Sequence, residues 1–81
     1  MNMEKNDPYR IALIKLISSI SREVQLDKSD QVLLLLQLDT EEKVSLFNRW
    51  VKTKLVNGTL KSTPEEIMNA SAKIGKGIRI V

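Results

Sequence analysis

Residues 39–58, DTEEKVSLFNRWVKTKLVNG, hold the pattern on which the fold turns. Val44, Phe47, Val51 and Leu55 recur at intervals of three and four, so a helical period of 3.6 gathers them into one apolar stripe, with Arg49 and Lys52 on the opposite side. Asp39 or Thr40 offers an N-cap oxygen just ahead of that stripe, and Asp39 with Glu42 has the spacing of a capping box. At the far end Asn57-Gly58 supplies a left-handed stop. These signals predict an amphipathic helix over 40–57. Leu46 and Trp50 widen its apolar arc to about half the circumference, more than a single neighbouring helix covers.

On the N-terminal side, Asp7-Pro8 reads as an N-cap followed by a proline at the position where its missing N–H costs nothing. Tyr9, Leu13, Leu16, Ile17, Ile20 and Val24 then share one stripe, which predicts a helix over 8–24 with Ile11 and Ile14 as an apolar shoulder outside it. The stretch QVLLLLQL at 31–38 follows Asp27 and Ser29, either of which could cap it. It is apolar nearly all round and rich in leucine, which predicts a short buried helix over 29–38, with a buried strand as the alternative.

On the C-terminal side, Thr63-Pro64-Glu65-Glu66 is a capping-box opening with proline at the first helical position. It predicts a helix over 64–74 with a narrow inner face of Ile67, Ala70, Ser71 and Ile74, ended by Gly75 in the left-handed conformation. GIRIV, at 77–81, alternates apolar and charged residues as an extended tail would, closing one end of the fold or adding a strand to a partner. The fold class implied is all-α: one domain spanning 1–81, built as a small antiparallel bundle of about four helices with a short extended C-terminal tail.

Composition narrows the chemistry. There is no cysteine and no histidine, so thiolate metal sites, disulfides and the usual proton shuttle near neutral pH are missing. The acidic doublets Glu41-Glu42 and Glu65-Glu66 each open a helix, where the helix dipole already accounts for them. GKG at 75–77 lacks the spacing of a phosphate-binding loop, and Asp27 with Asp30 supplies too few oxygens for a calcium loop. The expectation is a protein that is not an enzyme and takes no cofactor, metal or small-molecule substrate. No apolar run approaches the ~20 residues of a membrane span, and no secretory signal is legible, so a cytoplasmic location is expected.

The net charge of +3 is unevenly spread: residues 1–42 carry five basic and eight acidic side chains, residues 43–81 eight and two. TPEEIMNASAKIGKG at 63–77 resembles the opening of a helix-turn-helix, which implies a DNA reader. Each helix that could enter the groove, however, opens with glutamates, at 41–42 or 65–66, that repel phosphate, or runs out at Val81. A non-specific phosphate patch of Arg49, Lys52, Lys61, Lys73, Lys76 and Arg79 is the nucleic-acid alternative. The leading expectation is a small regulatory or interaction module that binds a protein partner, or a second copy of itself, through Leu46, Phe47, Arg49, Trp50 and Lys54.

Overall fold

A computed structural model describes residues 7–78. They form four helices, α1 (Pro8–Glu23), α2 (Lys28–Gln37), α3 (Glu41–Thr53) and α4 (Pro64–Gly75), and between α3 and α4 a two-stranded hairpin of β1 (Leu55–Val56) and β2 (Thr59–Leu60). The protein is therefore mostly helical. The expected tail beyond Ile78 lies outside the described residues.

The helix starts follow the capping chemistry. Asp7 accepts the N–H of Tyr9 at 2.8 Å, and Thr40 that of Lys43 at 3.3 Å. Thr63 and Glu66 form the reciprocal box, with the Thr63 N–H donating to Glu66 Oε1 at 2.9 Å and the Glu66 N–H to Thr63 Oγ1 at 3.1 Å. Asp39 does not cap α3: its carboxylate takes the Lys43 ammonium at 3.1 Å instead. Asp27 occupies the N-cap of α2 without a side-chain bond.

Three helix features depart from expectation. First, α3 stops at Thr53, and Leu55 belongs to a strand. Asn57 and Gly58 both have positive φ, +52° and +78°, the conformation of the tight hairpin turn that pairs Leu55 with Leu60 and Val56 with Thr59. Asn-Gly fits both a helix stop and this turn. The hairpin buries Leu60 and hands its N–H to Glu23 Oε1 at the end of α1, at 3.0 Å, which a helix running through 57 would forfeit.

Second, Gly75 is not the left-handed terminator. It is the last helical residue of α4, and Gly77, at φ +84°, takes that role. Ile78 N–H reaches Lys73 O at 2.9 Å and Gly77 N–H reaches Ile74 O at 2.9 Å, the two bonds of a Schellman ending. Gly75 is needed for closeness instead: a Cβ there would sit 3.2 Å from both Cβ and O of Gln37, the last residue of α2.

Third, α2 is a helix but not a buried one. Leu34 is fully buried within it and Leu38 just after it, while Val32, Leu33 and Leu36 are 54%, 42% and 68% exposed.

The core is a single cluster. Leu13, Ile17 and Ile20 of α1, Leu34 and Leu38, Val44, Phe47 and Val51 of α3, and Ile67, Ala70 and Ile74 of α4 close around one another. In the main helix contacts, α4 packs on α2 and α3, and α1 packs on α3 and α2. Ser71, fully buried, donates its hydroxyl to Gln37 Oε1 at 2.6 Å, so the polar group in the α2–α4 seam is satisfied rather than stranded.

Candidate functional site

The residues expected to meet a partner divide sharply. Leu46 is 7% exposed, Phe47 0% and Trp50 9%, so the apolar members of that region are core and offer no face to a partner. The wide apolar arc of α3 is real, but two helices cover it. Val44 faces the α1 flank, where it lines a cleft with Leu16, and Trp50 meets α4 beside Ala70. Trp50 stacks on Phe47 with ring centroids 5.9 Å apart, and Lys54 lays its ammonium 5.6 Å from the indole centroid. Arg49 remains exposed on the outer side of α3 and Lys54 is half-buried over the ring.

The cations of the nucleic-acid alternative are spread over several elements. Arg49 and Lys52 lie on α3, Lys61 follows the hairpin, and Lys73 and Lys76 stand at the end of α4, all exposed; Arg79 lies outside the described residues. The principal packing of α2 is with α1 and α4 rather than with α3, which is not the paired arrangement of a helix-turn-helix. The α3 and α4 helices do pack together, but the hairpin separates them in sequence where that motif has a turn of three or four residues. The α4 helix runs through Gly75, so the glycine of the 63–77 stretch is not a turn between helices.

One glutamate of each acidic doublet has an identified neighbour. Glu66 is held below the ordinary carboxylate range, chiefly by the backbone N–H of Thr63, then by the Ser62 hydroxyl, with Lys54 nearby adding to the effect. Tyr9 is pushed above its ordinary phenol value chiefly by the neighbouring Glu41 carboxylate, whose negative charge opposes ionisation of the hydroxyl. Among the described residues no cluster of three or more acidic side chains could hold a metal ion, and no helix is long and apolar enough to cross a membrane.

Two clefts flank α3. One, of about 380 Å³, lies between α1 and α3 and is lined by Tyr9, Leu16, Val44 and Asn48 among others. The other, of about 240 Å³, lies between α3 and α4 around Trp50, Lys54, Glu66 and Lys73. Neither gathers the convergent buried polar groups that a small-molecule site uses to fix a ligand.

The exposed apolar side chains are grouped elsewhere. The α3-facing flank of α1 is marked by Ala12, Leu16 and Ser19, which line the larger cleft. Ile14 lies about 160–200° around the helix from Ala12 and Leu16, hence on the flank that faces α2, and Ile11 follows on the outer side. Ile11 and Ile14 are 43% and 45% exposed. The α2 helix packs against α1 on one side and α4 on the other, and its outward residues Val32, Leu33 and Leu36 are exposed next to that flank of α1. Residues 31–38 carry no charge at all, so no ionised side chain interrupts the apolar surface over that part of α2. The Ile11–Ile14 shoulder was legible in the sequence. The α2 part was missed because a helix apolar on every side does not declare which side the core takes.

Comparison with protein-family models, with curated proteins and with solved structures finds no match to this chain.

Proposed function

We propose that this chain is a non-enzymatic protein-interaction module, with successive helices reversing direction in a small bundle, whose contact surface is the outward face of α2 together with the adjoining flank of α1. The observation that carries the reading is the exposure of Val32, Leu33 and Leu36 over little more than one turn of a helix that has no charge from residue 31 to 38. Apolar side chains scattered singly over a surface need no explanation, but a contiguous, uncharged patch costs solubility and is retained where something covers it. A binding role rather than a catalytic one is supported by the absence of histidine and cysteine, by the capping duty of Glu66 and by the place of Glu41 in the first turn of α3.

The test is affinity capture from cells that make the protein, comparing the immobilised chain with Leu33→Lys and, as a control at an exposed leucine away from this face, Leu55→Glu. Proteins retained by the parent chain and by Leu55→Glu but lost by Leu33→Lys are the expected result, this chain itself being one admissible member. The same retained set for all three baits would sink the reading.

A further inference from the structure

We infer that the covering partner is a second copy of this chain, docked α2 against α2 about a two-fold axis. The inference rests on the interaction reading above and adds the identity of the partner. Its first support is area. Ile11, Ile14, Val32, Leu33 and Leu36 are each 42–68% exposed. At roughly 100 Å² apiece they make a patch on the order of 500 Å², at the upper end of what a monomer carries unpaired. Pairing that patch with itself removes about 1,000 Å² from water before any rim is added, and a polar rim brings the total to the ~1,200–2,000 Å² of a stable interface.

The second support is charge. In a two-fold interface every side chain near the axis meets its own copy, so any ionised residue there would face a like charge. The outward face of α2 is free of this conflict, because 31–38 has neither acid nor base. Lys28 and Asp30 come in only at the first turn of α2, away from Leu33 and Leu36. On α2 itself a strongly charged partner would find no complement, whereas a copy of the same neutral helix needs none; the charges one turn from Ile14 and Ile11 on α1 are the cations Arg10 and Lys15. The geometry is also favourable: Val32, Leu33 and Leu36 are spaced one, three and four apart, the rows by which two helices interdigitate.

Two chains of net charge +3 repel at long range, and salt screens that repulsion while leaving the apolar seam intact. The dimer therefore holds or tightens between about 50 and 500 mM salt, where an interface built on opposite charges would loosen.

Sedimentation equilibrium of the full chain from about 10 μM to 1 mM, at both salt concentrations, tests this together with Leu36→Glu and Leu55→Glu. Leu36 is 68% exposed and contributes nothing to the core, so its variant keeps the fold, which circular dichroism verifies. The expected result is a dimer in the parent chain and in Leu55→Glu, with Leu36→Glu weakening it by about 100-fold or more, because each protomer loses a leucine contact and two carboxylates then crowd the axis. A monomer at every concentration overturns the inference, as does a dimer that Leu36→Glu leaves intact, one that Leu55→Glu abolishes equally, or one that salt dissolves. A monomer whose α2 face still selects proteins in the capture experiment overturns only the second copy; a monomer whose face selects none removes the interaction reading as well.

Discussion

Gly75→Ala sets two effects of similar size against each other. Alanine in a helix is favoured over glycine by about 0.5–1 kcal/mol, and by less at Gly75 because this is the last helical residue of α4. Against this, the new methyl would lie 3.2 Å from Gln37 Cβ and 3.2 Å from Gln37 O, where ordinary contact begins at 3.4 Å. Neither atom is the free end of a flexible chain. Both belong to the last residue of α2, whose side chain is also tied to the buried Ser71 hydroxyl at 2.6 Å. Relief therefore means shifting α2 against α4, and overpacking of this kind costs about 1–3 kcal/mol. The steric cost wins, leaving a net loss of about 1 kcal/mol, which for a chain of this length lowers the melting temperature by roughly 4–8 °C. Urea unfolding of the parent, Gly75→Ala, Gln37→Gly and the double variant measures it: removing the Gln37 Cβ relieves one of the two close contacts, so Gly75→Ala costs less in that background. A more stable Gly75→Ala, or perfect additivity in the cycle, would refute the close approach of the two helices.

Trp50→Ala removes a 9%-exposed ring stacked on Phe47, with an expected loss of about 3–5 kcal/mol for the cavity and about 1 more for the stack. Against a total stability of about 4–12 kcal/mol for a chain this long, the variant is barely folded or unfolded, whereas Trp50→Phe keeps a cooperative transition; an unchanged melt in Trp50→Ala would return the ring to the surface. Glu66 has its folded pKa lowered below the ordinary glutamate value of 4.5, so its stabilising contribution is complete above that value and is lost as pH falls through the lower folded one. Glu66→Gln keeps an oxygen for the Thr63 N–H but cannot titrate, so the fall in stability below about pH 4.5 becomes shallower; acid melts that superimpose with the parent would show that the capping carboxylate is not what titrates. For the nucleic-acid alternative, Lys52→Glu combined with Lys76→Glu is expected to leave the protein's amide shifts with a DNA duplex as small as the parent's at about 50 mM salt. Shifts in the parent that disappear in this variant and at about 200 mM salt would establish the phosphate patch instead.

The parts of this fold that were legible from sequence are those where a local signal has one structural meaning. Thr63-Pro64-Glu65-Glu66 could hardly begin anything but a helix, and the stripe of Leu13, Ile17 and Ile20 could face only a core. The misreadings fell where one signal has two meanings. Asn57-Gly58 ends a helix or turns a hairpin, and the choice was made 34 residues away in sequence from its turn, by Glu23 waiting for the Leu60 N–H. The Trp50–Leu46 arc could be an outward face or a face shared by two neighbours, and α1 and α4 decide it by lying on either side of α3.

The leucines of α2 carry the same ambiguity in its strongest form, and their resolution bears on function. A helix apolar on all sides is buried on all sides only where neighbours surround it. The described residues build one core, closed by Leu13, Phe47, Ile67 and Ile74 with Leu34 from α2 and Leu38 just after it. With α1 on one flank and α4 on the other, no element of the described chain remains to lie over Val32, Leu33 and Leu36. If their chemistry were only that of a solvated face, polar residues there would serve as well and keep the protein more soluble. The apolar sequence of α2 thus makes physical sense with a neighbour that comes from outside the fold, and the missing charge between residues 31 and 38 favours a neighbour with the same uncharged surface.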